Sequence, residues 1–309
     1  MKVLITGGAG YIGSVLCEVL LDAGHRVTVL DDLAFGQLSM LSLAHRDGFA
    51  FVRGDARDPD TLRPLVREAD VLIPLVALVG APACTKQPRL AVELNTEAVR
   101  TLLALRASEQ IVLFPNTNNG YGFQPDAVCT EDSPFAAHSL YGRTKEDAEK
   151  MVLESGAGVS FRLASAFGAS PRMRFDLLLN DFVQRAVTDR VLVLFESGFQ
   201  RNFVHVRDIA GAFLFALGAI DRMRGRVFNV GLAEANLTKR QLAERIKLQI
   251  PELTILESEI DQDPDKRDYV VSAARLEGLG WSAKIGLDAG IAELIRVCRM
   301  MPDSPLRNA

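Results

Sequence analysis

The chain has 309 residues, 48% of them hydrophobic and 24% charged, ordinary proportions for a globular protein with a sizeable core. A formal net charge of −4 argues against a nucleic-acid binder, whose mark is a basic excess. The cysteines (Cys17, Cys84, Cys129, Cys298) form no CxxC pair and the histidines lack metal-ligand spacing, so neither a metal site nor a disulfide framework is expected.

The first apolar run, Val3–Thr6, follows Met1-Lys2 with no leader-like segment before it. The longest apolar run, Val71 to Val79, is broken by Pro74 and is too short to span a bilayer. A cytoplasmic protein with no membrane partner is expected. Strands are predicted at Val3–Thr6, Arg26–Leu30, Ala50–Val52, Val71–Leu75, Ile111–Pro115 and Val159–Leu163. Helices are predicted between them at Ile12–Asp22, Pro59–Glu68, Arg89–Arg106 and Leu140–Leu153. Alternation of this kind specifies a parallel sheet covered by helices on both faces. Near-continuous apolar strands agree with it.

The alternation weakens after Gly168, where a strand at Phe203–Val206 and a helix at Asp208–Leu217 stand out. From Thr238 the pattern is amphipathic helix with short strands, such as Leu253–Leu256. The expected fold is α/β, a Rossmann-type doubly wound parallel sheet with a smaller C-terminal substrate-binding lobe. The dinucleotide domain is expected to comprise 1–167 plus about 201–230, and the lobe about 168–200 plus 231–309.

The first strand runs into Thr6-Gly7-Gly8-Ala9-Gly10-Tyr11-Ile12-Gly13, which opens a helix. Gly7 permits the tight turn, Gly10 lets a pyrophosphate approach the backbone, and Gly13 lets helix and strand pack closely. The pyrophosphate then faces the free N–H groups of the helix. The second strand ends in Asp31-Asp32. A carboxylate at Asp31 can accept both hydroxyls of an adenosine ribose and would repel a 2′-phosphate, selecting NAD. Asp55, after the third strand, is a candidate for the adenine.

Tyr141 and Lys145 stand four apart on a predicted helix, hence on one face. A nearby ammonium and a positively charged nicotinamide are expected to lower the phenol from its usual pKa near 10. The tyrosine can then exchange a proton with a hydroxyl of the substrate.

With these motifs the sequence resembles the extended short-chain dehydrogenases/reductases, and within them the NAD-dependent nucleotide-sugar epimerase/dehydratase family. The resemblance runs over nearly the whole chain. It implies a cofactor set of Gly7, Gly10, Tyr11, Ile12, Gly13, Asp31, Asp32, Asp55, Ala77, Asn95, Tyr141 and Lys145, around NAD. It places the catalytic hydroxyl of Pro-Asn-Thr-Asn-Asn-Gly-Tyr-Gly (115–122) on Thr117, beside Tyr141 and Lys145. It also implies a nucleotide-diphosphate sugar held by Arg201, in Gln-Arg-Asn-Phe-Val-His (200–205), and by Arg267.

Two departures affect the substrate side. Where the family often has Arg-x-Phe-Asn, this chain has Arg162-Leu-Ala-Ser165, so Ser165 is the candidate contact. Where the dehydratases carry Asp-Glu after the threonine, it has Asn118 and Asn119, which cannot exchange a proton near neutral pH. These asparagines are expected to position the sugar; elimination would need another carboxylate, such as Asp126 or Glu131 of the following loop. Arg174, and Arg172 beside it, could add contacts to phosphate or sugar.

The expected activity is that of a nucleotide-sugar epimerase acting through a transient keto-sugar. The alternatives are a 4-keto-sugar reductase or dehydrogenase, and a non-catalytic nucleotide-binding protein. A homodimer is expected, with Leu94, Ala98, Leu102 and Leu105 spaced as one apolar stripe.

Overall fold

A computed structural model of the chain describes residues 1–135, 137–259 and 267–301, the side chain of Asp126 excepted. The first half carries β1 (Lys2–Thr6), β2 (Arg26–Asp31), β3 (Phe49–Arg53), β4 (Val71–Pro74), β5 (Ile111–Thr117), β6 (Phe123–Cys129) and β7 (Gly158–Leu163). There follow β8 (Ser165–Phe167), β9 (Val191–Phe195), β10 (Gln200–His205), β11 (Val227–Val230), β12 (Asn236–Thr238), β13 (Thr254–Ser258) and β14 (Asp268–Val271). A seven-stranded sheet runs in the order β11-β7-β5-β4-β1-β2-β3, every neighbouring pair parallel. The order reverses between β1 and β4, the place where open α/β sheets bind ligands beyond their strand ends.

The helices are α1 (Tyr11–Asp22), α2 (Pro59–Glu68), α3 (Ala81–Lys86), α4 (Pro88–Val92), α5 (Ala98–Leu105) and α6 (Leu140–Glu154) in the first half. α7 (Leu178–Thr188), α8 (Val206–Met223), α9 (Lys239–Gln249), α10 (Ala274–Glu277) and α11 (Leu287–Met300) follow. Side chains alternate across each strand. Val3 and Ile5 therefore join one core with Leu16 and Leu20 of α1 and Phe213 of α8. Leu4 joins the opposite core with Leu62 of α2, Leu102 of α5 and Val152 of α6. Burial on both faces is why these strands read as unbroken apolar runs.

A separate core gathers Phe175, Leu179, Phe203, Leu242, Ile246, Ile291 and Leu294. The small sheets β12-β10-β8 and β13-β9 frame it, while β14-β6 carries a cluster of its own around Cys129, Tyr269 and Val271. On β10 the chain passes from one core to the other, because Phe203 belongs to this cluster and Val204 to the α1/α8 cluster.

Two expectations need correction. The helix predicted over Arg89–Arg106 is interrupted by a π-helical turn at Glu93–Glu97. And the stripe assigned to a subunit contact faces inward. Leu102 is 1% exposed and packs with Leu105 against the protein's own sheet, among Leu72, Val112 and Ala148. The sheet needs an apolar lid on that face, and this helix supplies it.

Candidate active site

The glycine turn closes as its spacing demands. Gly7 has φ +75°, and a Cβ there would stand 2.6 Å from the Val76 nitrogen. A Cβ on Gly13 would stand 2.5 Å from the Gly8 carbonyl oxygen. Gly10 is the N-cap of α1 and brings no side chain to cap it, so the helix end presents backbone N–H groups. Ile12 is half-buried behind it, and Ala77 lies on the loop after β4. Tyr11 turns the other way: its buried hydroxyl donates to the Gly168 carbonyl oxygen at 2.8 Å. Ser170 reinforces this junction, donating to the Tyr11 carbonyl oxygen at 2.7 Å.

Asp31 closes the end of β2 over the turn. Its carboxylate accepts from the N–H groups of Ala9 (3.0 Å) and Leu33 (2.9 Å). Burial pushes its pKa up, and those two N–H groups oppose the shift. Asp32 is exposed and accepts from the Ala34 N–H at 2.9 Å. Asp55 is held by Arg57 at 2.7 Å, and that hydrogen bond keeps its carboxyl below the usual range.

Thr117 ends β5, and its hydroxyl lies close enough to the Tyr141 phenol to lower the phenol's pKa. Ser139 caps α6 by accepting from the Gly142 N–H at 3.2 Å, which sets Tyr141 in the first turn. One turn on, Lys145 is 4% exposed with its Nζ 4.1 Å from the centre of the Phe114 ring. Burial pushes Tyr141 up to about 12, although Arg174, Arg267 and the Thr117 hydrogen bond pull it down. Burial pushes Lys145 down to about 7, against the pull of Glu149. Desolvation penalises the charged form of each, and outweighs the attraction expected between ammonium and phenolate.

Asn95 sits on the π turn and works as a clasp. Its Oδ1 accepts from the Leu78 N–H at 2.8 Å, and its Nδ2 donates to the Leu78 carbonyl oxygen (3.1 Å) and to the Thr144 hydroxyl (3.0 Å). The loop beyond β4 is thereby tied to α6.

On the substrate side, Asn118 is 2% exposed, and neither Oδ1 nor Nδ2 finds a partner among the described residues. Leaving such groups unmatched costs about 1–3 kcal/mol each. Asn119 donates its backbone N–H to the Thr117 hydroxyl at 3.2 Å. Ser165 is half-buried at the start of β8, beside Phe203 of β10. Arg174 pairs with Asp176 at 2.6 Å and, like Arg267, lowers the Tyr141 pKa by its charge. Arg201 is 2% exposed on β10. Glu131 is committed elsewhere: it accepts from the Asn229 N–H at 2.7 Å and lies 3.4 Å from Arg275. The Asp126 side chain lies outside the described residues.

A model of the NAD dependent epimerase/dehydratase family matches residues 3–231. The chain belongs to that family. Its members are enzymes, NAD is the family's cofactor, and the glycine turn and Asp31 carboxylate described above fit it. The chain is 28% identical to the low-salt glycan biosynthesis protein Agl12 of Haloferax volcanii, across 94% of this chain and 96% of that one. It is 29% identical to a UDP-glucose 4-epimerase of Azospirillum brasilense, across 92% and 87%. The crystal structure of Thermus thermophilus UDP-glucose 4-epimerase with NAD superposes with a TM-score of 0.84, at 26% identity, covering 97% of this chain and all of that one. No described helix is long and apolar enough to cross a membrane, and no described group of three or more His, Cys, Asp or Glu side chains could hold a metal.

Asn116 and Glu149 were missed by sequence reasoning. Glu149 is buried one turn beyond Lys145, and Asn116 precedes Thr117. The i+4 spacing from Lys145 was the available signal for the glutamate.

Proposed function

We propose that this member of the family is a nucleotide-sugar epimerase working through a transient keto-sugar. The carrying observation is the Thr117 hydroxyl close to the Tyr141 phenol, next to an Asn118 amide with no partner among the described residues. Thr117 holds the reacting sugar oxygen, and Tyr141 takes its proton. Bound NAD supplies the hydride acceptor and, once reduced, the donor, and places positive charge beside the phenol. The ketone then turns its other face, and Tyr141 returns the proton to the same oxygen. Asn118 offers the sugar one donor and one acceptor. Arg201 and Arg267 are assigned to the diphosphate, for which a planar guanidinium suits bidentate contact. Ser165, Asn119 and Arg174 are assigned to the sugar.

With this reading go a dinucleotide domain of 1–167 plus about 201–230 and a substrate lobe of about 168–200 plus 231–309. A cytoplasmic homodimer is proposed on the resemblance alone; a monomer by light scattering at micromolar concentration would contradict the dimer. The activity is tested by incubating the NAD-loaded protein with UDP-, GDP- and CDP-hexoses. Formation of an epimer without net production of NADH supports it. Turnover only of 4-keto-sugars, with stoichiometric use of added NADH, would replace it by the reductase reading.

A further inference from the structure

Glu149 is a buried carboxylate that the mechanism above leaves unused. It lies on α6 one turn beyond Lys145 and is 4% exposed. One oxygen accepts from the Arg162 guanidinium at 2.7 Å. The other accepts from the Ser160 hydroxyl at 2.6 Å and from the Asn116 side-chain amide at 2.7 Å. Asn116 and Arg162 are register neighbours on β5 and β7, so one carboxylate joins the catalytic helix to both strands. Asn116 passes the contact on: its Oδ1 accepts from the backbone N–H of Thr117 at 2.8 Å. A continuous path therefore runs from Glu149 through Asn116 to Thr117, whose hydroxyl meets Tyr141.

We propose that Glu149 is a positioning residue of the catalytic centre, setting Thr117 through Asn116 and supplying the counter-charge for Lys145. The proposal rests on the roles given above to Thr117, Tyr141 and Lys145. Glu149 acts on Lys145 by its charge and pairs with Arg162 of β7, while Cys84 of α3 acts on Tyr141. Arg174 and Arg267 act on Tyr141 by their charge. Phe114 of β5 covers Lys145 with its ring. Of these, Glu149 is the group that holds the lysine's proton on against burial. Arg162 matters for a second reason: with Glu149 neutralised, it would remain as a buried unpaired cation.

The test uses the full-length protein and two readouts. The first is NAD affinity by calorimetry, from one pH unit below to two above the Lys145 value of about 7. In the wild type, affinity should fall as Lys145 loses its proton. In Glu149→Gln the fall should begin about one unit lower, because the attraction is gone. The double variant Glu149→Gln/Arg162→Met removes the stranded Arg162 cation and should shift the same way, so the proposal stays open to disproof if the single variant does not fold. An unshifted inflection in a folded variant would overturn it.

The second readout is the division between kcat and KM. Asn116→Ala should lower kcat roughly tenfold by loosening Thr117, while KM and the pH inflection of NAD binding stay at wild-type values. An unchanged kcat, or an inflection that moves with Asn116, would overturn the relay. A wild-type protein that binds NAD but epimerises no nucleotide sugar would sink the epimerase reading and leave the NAD titrations still legible.

Discussion

The hydroxyl of Tyr11, on the first turn of the cofactor helix, donates across 2.8 Å to the carbonyl oxygen of Gly168 at the start of the loop leading into the second lobe. Both groups are buried, and Asn180 of α7 adds a second contact to the same hydroxyl at 3.4 Å. The glycine turn and the loop that carries Arg174 are therefore one hydrogen-bonded unit.

Tyr11→Phe deletes that link at nearly constant volume. An ordinary hydrogen bond contributes about 1 kcal/mol, with more lost when a buried carbonyl is left bare. The melting temperature should fall by about 2–4 °C, and NAD affinity should weaken while Tyr141 remains competent. Thermal melts with and without NAD check this; an unchanged pair of curves would show that the link carries no load.

Tyr141→Phe should lower turnover by about 10²–10⁴-fold, the range for a positioned proton donor and acceptor. Thr117→Val should lower it less, since the phenol would stay in place. NAD binding should survive in both. Steady-state rates alongside cofactor titration separate loss of chemistry from loss of cofactor.

Asp31→Asn should weaken NAD binding and narrow its advantage over NADP. The neutral amide keeps an acceptor for the Ala9 or Leu33 N–H, but no longer repels a 2′-phosphate. Parallel titration of both dinucleotides reads the ratio; an undiminished preference for NAD would place the discrimination elsewhere.

Much of this site was legible before any coordinates. Gly7 and Gly13 stand where a Cβ meets backbone, and Tyr141 and Lys145 follow from the helical repeat. What hid from view depended on distance or on burial. Glu149 takes its partners from strands that only the folded sheet brings alongside. β14 pairs with β6 although Asp268 and Phe123 are far apart in the chain. Apolar spacing in Arg89–Arg106 carried no mark of a widened turn. The charge states of Tyr141 and Lys145 depend on how much water the fold excludes, which motif spacing does not encode.

Glu293 sets an acid limit on stability. Burial pushes its pKa up, but His205, the Ala169 N–H and Arg207 together hold it down to about 2, below its ordinary 4.5. A depressed carboxylate contributes fully above its unfolded value and loses that contribution as pH falls through its folded value. Wild-type stability should therefore drop between about pH 4.5 and about pH 2. Glu293→Gln should be less stable at neutral pH and flatter across that window. Urea midpoints over the pH range test it, and parallel curves would remove Glu293 as the cause.

No 4,6-dehydratase activity is expected. Asn118 and Asn119, which follow Thr117, have no carboxyl group to exchange a proton, and Glu131 is bound to Asn229 and Arg275. Incubation with hexose nucleotides should yield no 6-deoxy-4-keto product by mass spectrometry. Its accumulation at enzymatic rates would mean that another acid has entered the site.

The π turn at Glu93–Glu97 makes chain length, rather than residue type, the vulnerable quantity in this part of the molecule. A π turn holds one residue more than the α-helical ladder needs. Loss of a single codon there would let the segment close into regular helix, turning α4 by about 100° relative to α5. Asn95 would swing away from Leu78 and Thr144. The helix and the sheet would survive, and every catalytic side chain would still be present, yet the loop after β4 would lose its tether to α6. A one-residue deletion here should therefore harm cofactor retention more than most substitutions on the same helix.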